Sequence, residues 1–184
     1  MLDNYLGFLY FIKMSKVNTL WGNIFRRNDK AEIDEVSTLK GVPIFGELRD
    51  GEIRELRHIV HHRHYKENEI IFHEGEPGVG MYIIHKGDVG IFRGEEEIAR
   101  LSKGDFFGEI SLLTEAPRSA SAVSFTETEI IGLFRPDLLG LIERNQRLGV
   151  KVLMKLGEVI ALRLRKTGEE LQAIKSTGEK PESS

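Results

Sequence analysis

Apolar and polar positions change their period along the chain, and each change marks a different kind of element. Ile33, Val36 and Leu39 recur at helical spacing, and Gly41 and Pro43 stop the pattern. Ile53, Leu56, Ile59 and Val60 repeat that spacing, with Asp50 placed to cap it, so a helix is predicted over about Asp50 to His61. From Tyr65 the runs shorten. Ile70–His73, Met81–His85, Val89–Arg93 and Glu97–Leu101 read as strands, cut by EGEPGVG, KGD, RGEE and SKGD. Glycine reaches positive φ at little cost, so these are turns with a mechanism. SASAVSF and TEIIGLF add two strands around a Thr-Glu-Thr turn. Many short strands with regular turns predict a sandwich, roll or barrel. Helical spacing returns at Pro136 with PDLLGLIER, is interrupted at NQRLG, and resumes from about Leu148 to Lys175. There Leu153, Leu156, Ile160, Leu164, Thr167, Leu171 and Ile174 step by three or four. This stripe fits either packing on its own domain or pairing with a second copy. The polar tail STGEKPESS is expected to be disordered.

Composition narrows the function classes. The 184 residues suit one domain with appendages, and the net charge of −3 argues against a broad nucleic-acid surface. Cysteine is absent, which removes disulfides and thiolate metal sites and is compatible with the expected cytoplasmic location. No apolar run is long enough to span a bilayer. The stretch YLGFLYFI, Tyr5 to Ile12, has its lysines after the apolar run, the reverse of a secretory signal. It reads as a peptide packing on the domain, a membrane-surface anchor, or an extension ahead of a true start at Met14; the last is the expected one.

FFGEISLLTEAPRSASA, Phe106 to Ala122, interrupts the strands without reading as one. Gly108 allows close approach to the backbone. A short helical turn from Glu109 would leave the amides of Ile110 and Ser111 open to an anion. Arg118, nine residues after Glu109, adds a permanent cation with a planar fork of donors. These groups suit a phosphate, and Glu109 then needs a ligand that brings hydroxyls. A ribose carrying a phosphate satisfies both. Phe106, Phe107, Leu112 and Leu113 are expected to anchor the loop in the core. The plainer reading is a surface salt bridge between Glu109 and Arg118.

FGEISLLTEAPRSASAV resembles the phosphate-binding cassette of the cyclic nucleotide-binding domain family, and YKENEIIFHEGEPGVGMYIIHKGDVGIF resembles that family's β-roll entry. The resemblance covers about three quarters of the chain, from Val42 to Lys175. It implies a mainly β fold with flanking helices: an antiparallel β-roll (a double-stranded β-helix, or jelly roll), N-terminal helices and C-terminal lid helices. It implies that Gly108 and Glu109 form the cassette's Gly-Glu pair, with the carboxylate taking the ribose 2′-hydroxyl. The amides of Ile110 and Ser111 would face the ligand, Arg118 would pair with the cyclic phosphate, and Ser119 and Ala120 would be the small residues beside it. The implied ligand is cAMP, with cGMP open because Ser119 offers a hydroxyl.

The expected organisation is an N-terminal extension (1–40), the β-roll with its N-terminal helices (41–135), C-terminal lid or dimerisation helices (136–175) and a tail (176–184). His58, His61, His62 and His64 invite a metal reading, but a helix end rich in solvated histidine is expected instead. The residues after Lys175 are too few for a helix-turn-helix reader, so no direct nucleic-acid contact is expected. No kinase domain and no nucleophile–base pair stands out. The expected function is a non-enzymatic cyclic nucleotide sensor without a cofactor or metal, signalling to an unknown protein or through a homodimer. A ligand-free interaction scaffold and the effector part of a transcription regulator are the alternatives.

Overall fold

The computed structural model describes residues 29–178. Tyr5 to Ile12, Met14 and residues 179–184 lie outside the described residues; the first three residues of the expected disordered tail, Ser176 to Gly178, instead continue the last helix. From Ile33 onward the described residues form one compact unit, and Asp29 to Glu32 are the first turn of the helix that leads into it.

Helix α1 (Asp29–Gly41) and helix α2 (Asp50–Arg57) precede eight strands. These are β1 (His61–Tyr65), β2 (Ile70–Phe72), β3 (Gly80–Lys86), β4 (Val89–Arg93), β5 (Glu96–Leu101), β6 (Phe106–Phe107), β7 (Ser121–Ser124) and β8 (Thr128–Phe134). A single 3-10 turn, Glu109–Leu112, follows β6, and helices α3 (Arg135–Arg144) and α4 (Gln146–Gly178) close the chain. The strands form two four-stranded antiparallel sheets, ordered β1-β8-β3-β6 and β2-β7-β4-β5. This is the expected antiparallel jelly roll with flanking helices.

Strand β3 shows why the roll has two cores. Side chains alternate across a strand. Met81 and Ile83 therefore join Leu39, Phe45, Leu56, Leu133, Leu141 and Leu156 under the helices, while Tyr82 and Ile84 join Val89, Phe107, Ala122 and Ile130 inside the roll. Both faces are covered, so β3 is buried from Gly80 through Ile84 rather than alternating apolar with polar.

Helix α2 is shorter than its periodicity predicts. It ends at Arg57, and His61–Tyr65 pairs with β8 as an edge strand. HHRHY has no alternating apolar face, so pairing with β8, not pattern, makes it a strand. The histidines expected at a helix end lie on or near this strand. His61 Nε2 meets Asp137 of α3 at 2.9 Å and His62 Nε2 meets Glu35 of α1 at 3.3 Å. Asp50 is not the cap of α2; Glu52 accepts a hydrogen bond from the Arg49 amide at 2.8 Å.

Asn145 alone separates α3 from α4, where a five-residue interruption was expected. Its side-chain Oδ1 accepts from the Leu148 amide at 3.1 Å and its side-chain Nδ2 donates to Glu55 at 2.9 Å. The proximal part of α4 packs on its own domain through Leu148, Val152 and Leu156, with Leu153 and Ile160 partly buried beside them. The apolar face then runs out: Leu164 is 73% exposed.

A buried ion pair ties α1 to α2. Arg57 donates from Nε to Glu35 at 3.1 Å, and both side chains are almost wholly buried. Burial alone would raise the Glu35 carboxyl, but hydrogen bonds from His62 and Arg57 outweigh it and hold the group below its ordinary 4.5. A depressed folded-state value contributes stability above the unfolded value and loses it as pH falls. Glu35→Ala removes the carboxylate beside a buried guanidinium and is expected to cost at least about 3 kcal/mol in urea denaturation at neutral pH. The loss relative to the native chain should shrink as the pH is lowered below 4.5. A gap that is constant with pH would contradict this assignment.

Candidate functional site

The connection from β6 to β7 builds one wall of an open cavity of about 270 Å³. Gly108, Glu109, Ile110, Ser111, Arg118, Ser119 and Ala120 all line it, so the residues singled out in the sequence come together at one place. Phe72 of β2, Ile91 of β4 and Phe107 of β6 form the apolar side.

Gly108 starts the 3-10 turn with φ +73°, a left-handed conformation that a side chain disfavours. A Cβ here would also collide with the Arg118 guanidinium. Glycine is thus required for the turn and for the arginine behind it, and not only for approach of a ligand. The turn buries Glu109, Ser111 and Leu112 and leaves Ile110 51% exposed. Phe106 and Phe107 are buried as expected, but Leu113 is 41% exposed because it falls just past the turn, on the solvent side.

Arg118 is fixed from several directions. Its amide donates to the Glu76 carbonyl and its carbonyl accepts from the Gly75 amide, each at 2.8 Å. The glycine-rich turn after β2 therefore holds this residue by its backbone. Gly78 in the same turn leaves the room that Ser111 fills. The Arg118 side chain donates from Nη1 to Ser111 Oγ at 3.0 Å and to the Gly108 carbonyl at 3.2 Å. Its guanidinium carbon lies 4.2 Å from the Phe72 ring centre and 5.3 Å from that of Tyr82. Cation–π contact of this kind stabilises a desolvated cation. The residue is only 6% exposed, and its Nε is buried with no hydrogen-bond partner. Burial pulls its pKa down, while Tyr82, Glu76 and Glu109 oppose the change. An arginine remains charged through this.

Glu109 does not pair with Arg118. Its Oε1 accepts from Nη1 of Arg163, on α4, at 2.8 Å. The Ser111 amide is not open to a ligand either; it donates to the Gly108 carbonyl at 3.2 Å, and it is the Ser111 hydroxyl that serves Arg118. Ser119 is exposed at the cavity and Ala120 is buried beneath it.

Arg163, Phe72 and Ile91 escaped sequence reasoning. Phe72 and Ile91 come from strands of the second sheet, and only folding brings them beside the cassette. Arg163 did leave a signal. It stands seven residues after Leu156 and three after Ile160, so it continues the packed face of α4 with a guanidinium. Among the described residues no group of three His, Asp or Glu side chains converges on a metal position.

The chemistry on offer is a buried, under-bonded cation and a carboxylate that line the same cavity, over an apolar floor. It suits a ligand with one negative charge, a hydroxyl group and a flat apolar part. Gly108→Ala should cost about 1–2 kcal/mol from the left-handed backbone alone. Urea titration checks this, and an unchanged midpoint would show that the turn adapts.

The sequence family described as the cyclic nucleotide-binding domain matches residues 62–145. The chain is 38% identical over 141 residues to the cyclic AMP receptor protein of Thermus thermophilus, covering 74% of this chain and 63% of that one. It is 33% identical over 120 residues to the cAMP-dependent protein kinase regulatory subunit of Hypocrea atroviridis, covering 61% of this chain and 26% of that one. Thus it spans between about a quarter and just under two thirds of these relatives. The crystal structure of a cyclic nucleotide-binding domain from Methylobacillus flagellatus KT superposes with a TM-score of 0.68 at 26% identity, covering 79% of this chain and 84% of that one. Fold, cassette and sequence agree, and the chain carries a domain of the cyclic nucleotide-binding family.

Proposed function

We propose that this domain is a regulatory sensor that binds a cyclic nucleotide, cAMP before cGMP, and passes the bound state through α4 to a partner protein or a second copy. One observation carries the reading: the Arg118 Nε is buried without an acceptor at the edge of a cavity lined by the cassette. A buried unpaired donor on a charged group costs free energy until something accepts from it. A cyclic phosphate has one negative charge and exposed oxygens, and would supply that acceptor.

Each remaining residue has a role. Gly108 holds the turn, Ser111 orients Arg118, and Glu109 accepts the ribose 2′-hydroxyl. Ile110, Ser119 and Ala120 border the phosphate and sugar, and Phe72, Ile91 and Phe107 face the base. Both named relatives carry cAMP in their names, which favours cAMP. The Ser119 hydroxyl keeps cGMP in play through the guanine amino group. Residues 41–135 act as the binding roll and 136–175 as the lid, in the cytoplasm. In this reading the site holds its ligand and does not transform it.

Signalling requires that ligand bind one helix arrangement better than another. The proximal part of α4 is tied to the N-terminal segment by Lys151 to Glu52 and Lys155 to Glu47, each at 2.6 Å. Val150, Met154 and Leu164 are more than half exposed and lie along one face of α4, which suits pairing with a second copy.

Calorimetric titration with cAMP and cGMP tests the reading. Saturable binding is expected at micromolar concentration or below. Arg118→Ala should weaken it by roughly 30- to 5000-fold, the cost of leaving a buried charged partner alone. Glu109→Ala should weaken it by roughly 10- to 150-fold. A folded protein that binds neither nucleotide would overturn the reading in favour of an interaction scaffold.

A further inference from the structure

The carboxylate of Glu109 sits awkwardly beside a phosphate site, and α4 resolves the difficulty. Glu109 is 6% exposed, so its charge needs a partner. That partner is Arg163. Its Nη1 donates to Glu109 Oε1 at 2.8 Å, its Nη2 donates to the Phe106 carbonyl at 3.4 Å, and its guanidinium carbon lies 4.4 Å from the Phe106 ring centre. One planar group therefore grips the strand before the cassette, the ring of its first residue and the carboxylate after it. The grip comes from a helix that has otherwise parted from the roll: every residue from Ala161 to Glu170 is exposed.

We infer that Arg163 is the positioning residue for sugar recognition, acting through Glu109; this rests on the cyclic-nucleotide reading. Two effects combine. The ion pair occupies Oε1 and fixes the carboxylate, leaving Oε2 to accept a ribose 2′-hydroxyl. A carboxylate has lone pairs enough for both bonds. The pair also cancels the negative charge that would otherwise oppose a phosphate at Arg118. Recognition of the 2′-hydroxyl thus depends on where α4 lies, and the sugar becomes the part of the ligand that the helix senses. The fork matters as well as the charge, since only a guanidinium can hold the carboxylate, the carbonyl and the ring face together.

The discriminating probe is the ligand that lacks this hydroxyl. Affinities for cAMP and 2′-deoxy-cAMP are measured by calorimetry on the full chain and on its Arg163→Ala variant. The Arg163 side chain is 48% exposed, so the variant should fold, which circular dichroism and the urea midpoint check. In the native chain the missing hydroxyl should cost about tenfold or more. In Arg163→Ala that ratio should fall below about threefold, with cAMP itself bound at least about fivefold more weakly. Arg163→Lys, which keeps the charge without the fork, should recover part of the cAMP affinity but not the discrimination.

An unchanged ratio in Arg163→Ala would overturn the inference, because Glu109 would then be oriented without α4. Tighter cAMP binding by the variant would also overturn it, marking Arg163 as a competitor of the ribose. A native chain that binds cAMP strongly but tolerates 2′-deoxy-cAMP equally well would refute sugar recognition while leaving the phosphate reading intact. A native chain that binds neither nucleotide would remove both.

Discussion

Arg118 puts a permanent charge where water scarcely reaches, and most features of the cassette follow from accommodating it. The guanidinium rests on Phe72 and Tyr82, donates to Ser111 and Gly108, and still has one buried nitrogen unsatisfied. Desolvating a cation is costly unless donors are matched. The residues around it reduce the cost without removing it. Gly108 takes a backbone conformation that other residues avoid and leaves room for the side chain. Gly78 leaves room for Ser111. A pocket that stays one acceptor short is primed for an anion, which is how stability given up locally becomes affinity.

The roll and the helices contribute differently. The two sheets create an apolar interior and bring Phe72, Ile91 and Phe107 to one side of the cavity. They also clamp the Arg118 backbone from the turn after β2. Helix α4 bridges two regions. Its proximal part is packed and salt-bridged to the N-terminal segment, and its exposed part reaches the cassette through Arg163. A rigid element held at two points along its length can relay a small shift at one contact to the other. With Arg163 half exposed, the pair is weaker than a fully buried one.

Much of this was legible in the chain itself. Most strands from Ile70 to Phe134 declared themselves through the turns that bound them, several built on glycine, and the cassette residues stand close together in sequence. What stayed hidden depends on distant partners. HHRHY is a strand only because β8 lies beside it, and its histidines meet carboxylates from α1 and α3. The short strand Phe106–Phe107 exists because β3 offers a ladder. The Glu109–Arg163 pair joins residues 54 positions apart, beyond the reach of any local spacing. The amide of Ser111 was expected to face a ligand, but a tight 3-10 turn spends it internally. The C-terminal stripe was legible as a stripe, yet which part would pack depended on where the roll ends.

The central claim is that a ligand phosphate completes the bonding of Arg118. The most direct measurement is nuclear magnetic resonance of the arginine Nε–H groups in nitrogen-15-labelled protein, with the Arg118 signal assigned through Arg118→Lys. On saturation with cAMP, the Arg118 Nε–H resonance should move strongly downfield and exchange more slowly with water, as a buried donor gains a charged acceptor. Saturable binding of cAMP with that resonance unmoved would contradict the account, because the nucleotide would then be held without the one group around which the cavity is built.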